Sequence, residues 1–271
     1  MAQDRYFEVE PGVLLRYIDA GEGQPIVFVP GWSFSANSFD AQIAYFSKAY
    51  RCIAVDPRCH GKSTITWRGN SYDQQGADLA KLIDALGLKH VVLAGWSFGA
   101  LACWAYLEQR GFDNVAAVVI MDNSPRSISD DPQEYRAGTL EDLRGAHLNS
   151  LCSPQAYRGF MGEFADGLLY EGAMSAELRE HLIDESCRIP SEIADALYVD
   201  GWLADKREIC RKLDATVPWL LVIANYRKDA GVPYMQANYP HVQIDAFGMH
   251  MMFHEYPDRF NARMEEFLKG I

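Results

Sequence analysis

The segment Val91-Val92-Leu93-Ala94-Gly95-Trp96-Ser97-Phe98-Gly99 leads directly into a helical pattern that begins at Ala100 and reaches Leu107. A continuous apolar run that stops at a turn signal reads as a strand buried on both faces of a parallel sheet. The Gly-x-Ser-x-Gly that follows it, between strand and helix, sets a serine on a sharp turn. Glycines two before and two after Ser97 let neighbouring backbone approach without a Cβ clash, while the serine takes strained backbone angles. Its Oγ then stands above the sheet edge at the positive end of a helix, which makes Ser97 the candidate nucleophile.

Outward from this segment the same apolar character recurs. It marks Pro25-Ile26-Val27-Phe28-Val29, Cys52-Ile53-Ala54-Val55, Val115-Ala116-Ala117-Val118-Val119-Ile120-Met121 and Trp219-Leu220-Leu221-Val222-Ile223-Ala224 as strands, after an N-terminal pair at 6–9 and 13–19. Helical patterns lie between them. The one over 72–86 is entered by Ser71 with Gln74 three residues on, the spacing of a capping box, and is closed by Gly87. Its Ala77, Leu79, Leu82, Ile83 and Leu86 trace one apolar face at helical spacing, which is core packing. Alternating strands and helices imply right-handed crossovers and a mostly parallel central sheet flanked by helices, an α/β class.

The alternation stops over 126–215. There, 135–151, 155–168, 176–187 and 191–203 read as helical and are rich in Met, Phe, Tyr and Trp. This predicts a helical cap inserted into a core made of 1–125 and 216–271.

The chain has 271 residues, 49% of them hydrophobic and 23% charged, which is a globular composition. Its formal charge of -12 repels phosphate backbones and anionic membrane surfaces, so neither nucleic acid nor membrane is an expected partner. A small apolar or aromatic molecule is, and homo-oligomerisation stays open. The start, Met1-Ala2-Gln3-Asp4-Arg5, has no apolar stretch of signal-peptide length, and no later run is long enough to span a bilayer. Cys52, Cys59, Cys103, Cys152, Cys187 and Cys210 form no C-x-x-C pair, so reduced thiols and a cytoplasmic location are expected, with no metal and no cofactor.

Among seven histidines, position singles out His250. It follows the candidate strand at 242–244 and the Phe247-Gly248 turn, and precedes an amphipathic stretch over 257–268. In a Ser-Asp-His chain order the general base occupies that place. His254 is the nearest rival, and His60 sits in the turn after Cys52-Ile53-Ala54-Val55 with a structural reading. His90, His147, His181 and His241 have no catalytic partner nearby in sequence and receive no role. The strand ending at Val29 runs into Pro30-Gly31-Trp32, whose loop can aim the Trp32 N–H at a developing oxyanion, with the Phe98 N–H as second donor. Aromatic residues crowd this region. Trp32, Phe34 and Trp96 are candidate substrate contacts, joined from the inserted stretch by Met161, Phe164 and Trp202.

Pro30-Gly31-Trp32, Asp56-Pro57-Arg58-Cys59-His60-Gly61-Lys62-Ser63, Gly95-Trp96-Ser97-Phe98-Gly99 and Gly248-Met249-His250 with Pro257-Asp258-Arg259-Phe260 together resemble the α/β-hydrolase superfamily. The match runs in order across the chain outside 126–215 and is most similar to the small esterase, perhydrolase and lactonase branch. It departs from the common pattern at Pro30, Cys59 and Met249, where a histidine and two glycines are usual. The resemblance implies hydrolysis of a carboxylic ester or related acyl compound through an acyl-enzyme on Ser97. A Pro-Gly-Trp loop with Ile120-Met121-Asp122 also resembles the cofactor-free ring-cleaving dioxygenases of this fold, which implies oxygenolytic or C–C cleavage with His250 as base.

The third residue must be a carboxylate that fixes the imidazole tautomer and stabilises the imidazolium. Two positions compete for it. Asp229 follows the strand that starts at Trp219, the usual place in the superfamily, and Asp122 ends the strand that starts at Val115, the alternative place. Asp122 lies 25 residues after Ser97, one helix plus one strand, which brings both to the same edge of adjacent strands. Asp122 is therefore preferred, with Asp229 as the alternative.

Overall fold

The runs that the sequence marks as strands lie side by side in one eight-stranded sheet, in a computed structural model that describes residues 3–271. In chain order the strands are β1 (Gln3–Glu10), β2 (Val13–Ala20), β3 (Pro25–Val29), β4 (Arg51–Val55), β5 (Val91–Trp96), β6 (Val115–Met121), β7 (Trp219–Ile223) and β8 (Gln243–Ala246). Across the sheet they run β1-β2-β4-β3-β5-β6-β7-β8. β1 and β2 form an antiparallel pair, β2 joins β4 antiparallel, and all remaining neighbours are parallel. Every residue of β3, β5 and β7 is buried, as uninterrupted apolar runs require when helices cover both faces.

From β3 the chain steps one way to β4, returns past β3 to β5, and then advances strand by strand to β8. Ligands of open α/β sheets bind beyond the carboxyl ends of the strands at such a reversal. Here the loops after β3, β5, β6, β7 and β8 meet along one edge, which gathers residues from five distant parts of the chain.

The helices are α1 (Asp40–Phe46), α2 (Tyr72–Ala85), α3 (Gly99–Arg110), α4 (Leu140–Gly145), α5 (Pro154–Phe164), α6 (Ala176–Ser186), α7 (Ser191–Leu203), α8 (Arg207–Thr216), α9 (Lys228–Asn238), α10 (Met252–Glu255) and α11 (Pro257–Lys269). Ser71 caps α2 by accepting from the Gln74 N–H at 3.2 Å. The reciprocal half of the expected capping box is missing. Gln74 instead donates its side-chain amide to Asp78, one turn on, at 3.0 Å, because Asp78 is held there by the buried Arg58.

The residues between β6 and β7 hold α4 to α8. The helix expected over 135–151 begins only at Leu140, where Thr139 and Asp142 make a complete capping box. Before it, the chain is irregular and pinned by bridges from Arg126 to Asp205 and from Ile128 to Gly138. α4 and α5 each run on into a π-helical turn, Ala146–Ser150 and Ala165–Leu169. The last strand is shifted from the expected 242–244 to Gln243–Ala246. No helix among the described residues is long and apolar enough to cross a membrane.

Candidate active site

Ser97 ends the turn after β5 with φ +50°, in the left-handed region that a non-glycine residue enters only under constraint. Its N–H is tied to the Met121 carbonyl at 2.8 Å, and α3 starts two residues later. The glycines around it do what the motif requires. A Cβ at Gly99 would stand 2.3 Å from the Val29 carbonyl oxygen and 2.4 Å from that of Pro30, so only glycine lets the turn press against the end of β3. A Cβ at Gly31 would stand 3.0 Å from the Ser97 Cβ, which measures how closely the loop after β3 passes the serine.

His250 reaches Ser97 from the loop after β8. Its Nε2 lies 2.9 Å from Ser97 Oγ and its Nδ1 lies 2.6 Å from Asp122 Oδ2. Three backbone contacts fix the loop. The His250 N–H donates to the Leu168 carbonyl at 2.9 Å, the Met251 N–H donates to the Leu169 carbonyl at 3.0 Å, and the Trp96 indole donates to the His250 carbonyl at 2.8 Å.

Asp122 follows β6 and is wholly buried, with φ +49° and its N–H on the Val222 carbonyl at 2.8 Å. Its carboxylate also accepts from the Tyr135 hydroxyl at 3.1 Å, the Tyr226 hydroxyl at 3.0 Å and the Ala224 N–H at 3.1 Å. Burial alone would push this carboxyl up. The His250 hydrogen bond, the nearby Arg227 guanidinium and the Ala224 N–H outweigh it and hold the group down at about 2. Burial pushes both tyrosines up, so they stay protonated donors.

Beside Ser97 opens a cavity of about 330 Å³. Its wall is mostly aromatic, with Trp32, Phe34, Trp96, Phe160, Phe164 and Trp202 prominent. The N–H groups of Trp32 and Phe98 have no acceptor among the described residues and belong to the two loops that flank the serine.

Residues 24–152 match the family model described as the alpha/beta hydrolase fold. Outside those residues, β7 and β8 continue the same sheet and the loop after β8 brings His250 to the serine. The chain has the α/β-hydrolase fold. The chain is similar to a putative non-heme chloroperoxidase of Synechocystis sp., 26% identical over 93% of this chain and 94% of that one. Among solved structures it is similar to a bromoperoxidase from Bacillus anthracis, with a TM-score of 0.87 at 23% identity over 98% of this chain and 100% of that one. It is also similar to an esterase from Exiguobacterium antarcticum, with a TM-score of 0.85 at 22% identity over 98% and 100%.

Of the residues singled out from the sequence, Ser97, His250 and Asp122 come together, and Trp32, Phe34, Trp96, Phe98, Phe164 and Trp202 line the adjoining cavity. Two do not. Asp229 is exposed in the first turn of α9, because the 3-10 turn Asn225–Arg227 after β7 delivers Tyr226 to the site and carries Asp229 outward. Met161 is off the cavity wall and only 1% exposed. Phe160 and Phe164, four residues apart, share the face of α5 turned to the cavity, and Met161 lies about 100° around the helix from Phe160.

His254 contacts the Tyr170 hydroxyl instead of the serine. His60 Nδ1–H donates to the Arg58 carbonyl at 2.9 Å, and burial pulls the ring's pKa down to about 4. Sequence reading missed Tyr135, Tyr226, Arg227, Asn123 and Tyr198. Tyr226 alone carried a usable signal, since it stands where the acid loop of the superfamily is expected.

Proposed function

We propose that this chain is a serine hydrolase that cleaves a carboxylic ester or related acyl substrate through an acyl-enzyme on Ser97. The observation that carries this reading is the line from Ser97 Oγ through the His250 ring to Asp122, at 2.9 and 2.6 Å. His250 Nε2 takes the proton as Ser97 Oγ bonds to the carbonyl carbon. The carbonyl oxygen becomes an oxyanion that the Trp32 and Phe98 N–H groups can meet, donors of a kind worth about 3–4 kcal/mol each. Collapse breaks the bond to the leaving oxygen, which takes the proton from His250. Water then gives a proton to His250 and its oxygen to the acyl carbon, and Ser97 leaves with that proton, releasing the acid.

Asp122 keeps the imidazole in the required tautomer and stabilises its cationic form without taking the proton. The aromatic wall favours a small apolar or aromatic substrate, and the 126–215 insertion serves as the cap over it. All six cysteines are free thiols, which supports a cytoplasmic site of action. The oxygenase alternative is not favoured, because the relatives above carry the names of an esterase and of haloperoxidases.

The test is hydrolysis of a short-chain aromatic ester by the wild type, Ser97→Ala and His250→Ala, with mass spectrometry after an organophosphonate. Expected are turnover by the wild type, a loss of at least about 10³-fold in each variant, and one adduct, on Ser97. Absence of both adduct and esterase activity in the wild type would overturn the proposal.

A further inference from the structure

The catalytic cavity has a polar end that the hydrolytic steps above do not use. Arg227 closes the turn after β7 and lines the cavity together with Asp122, Tyr226 and His250. Its guanidinium carbon stands over the Tyr226 ring, 5.1 Å from the centroid, which fixes the side chain in place. Buried arginines elsewhere in the chain have carboxylate partners: Arg58 has Asp78 at 2.6 Å and Arg16 has Asp56 at 3.4 Å. Arg227 has no carboxylate within 4.0 Å among the described residues. Its other near neighbours are the uncharged Tyr226 and Tyr135 side chains, with the Asp122 carboxylate farther off.

Asn123 lies beside Asp122 in the same wall and is 4% exposed. Its side-chain nitrogen is buried without a hydrogen-bond partner among the described residues. A buried amide left unpaired is unfavourable until something supplies an acceptor. Glu163 also lines the cavity, but it is exposed, where water screens its charge. A half-buried guanidinium facing an aromatic wall offers a forked set of donors in a medium that strengthens them, the arrangement suited to a carboxylate.

We propose that Arg227 and Asn123 form an anion-binding subsite in the catalytic cavity, and that the substrate is an aromatic or apolar ester carrying a free carboxylate. The word ester rests on the serine-hydrolase reading above. The subsite itself does not, and the experiment separates the two. The rival account has Arg227 balancing the charge of Asp122, a role that is blind to the charge of the substrate.

Two phenyl esters of matched shape discriminate: phenyl hemisuccinate, which is anionic, and phenyl 4-methylpentanoate, which is neutral. The ratio of their kcat/KM values is measured for the wild type, Arg227→Met and Arg227→Lys. The ratio is expected to fall about 10- to 100-fold in Arg227→Met, with a smaller fall in Arg227→Lys. An unchanged ratio in Arg227→Met overturns the subsite. In parallel, 3-phenylpropanoate is titrated into Ser97→Ala and Ser97→Ala/Arg227→Met, following tryptophan fluorescence. Saturable binding that Arg227→Met weakens about 10-fold or more supports the subsite, even where neither ester is hydrolysed and the hydrolase reading alone has failed. Equal binding by both variants, or none by either, overturns it.

Discussion

Asp122 accepts from four donors at once, and two of them are tyrosine hydroxyls supplied by segments far apart in the chain. A carboxylate stripped of water persists only with such compensation, and each donor lost should be felt. Tyr135→Phe is expected to lower stability by about 2 kcal/mol, as for other hydrogen bonds to charged groups, measured by urea denaturation. With one donor fewer, Asp122 becomes the stronger partner of the imidazolium. Ser97 and His250 were legible because a five-residue motif and a strand-loop-helix context are local features. The tyrosines were less so: nothing near Tyr135 announces its contact, and Tyr226, although in the loop where an acid is expected, meets Asp122 across 104 positions. That Asp122 meets His250 while Asp229 is carried outward likewise depends on a turn whose shape the sequence does not state.

The strand-turn-helix of β5 and α3 illustrates what a motif encodes at the level of elements. Gly99 is needed for its neighbours and not for its own torsions, as the end of β3 occupies the volume a side chain would take. Gly99→Ala should cost about 2–3 kcal/mol through overpacking and should also reduce turnover by displacing the Trp32 loop. Thermal unfolding with parallel ester assays checks this, and a variant as stable and active as the wild type would refute the close approach. The parallel strands were readable because burial on both faces leaves them uniformly apolar. The inserted helices were less so. An amphipathic period shows that a helix exists, yet the start of α4 depends on a cap at Thr139, and which face of α5 meets the cavity depends on what packs against it. Met161 was misplaced for that reason.

Across the whole molecule, acid should act in two stages. His60 has its folded pKa lowered from 6.5 to about 4, so its contribution to stability is present above pH 6.5 and is lost as pH falls through about 4. Asp122, lowered from 3.8 to about 2, contributes above 3.8 and loses its share as pH falls through about 2. Urea midpoints measured at pH 7, 5 and 4 should fall in that order, and His60→Gln should flatten the decline. A midpoint independent of pH across this range would contradict the burial of His60.

The two hydrogen bonds from the β8 loop to Leu168 and Leu169 carry a mechanical consequence. They anchor His250 to the inserted segment as well as to the sheet. Any excursion that lifts the residues around Leu168 to admit a ligand must break these bonds or drag His250 away from Ser97. On the proposed mechanism, opening of that segment would therefore disturb the alignment of Ser97, His250 and Asp122.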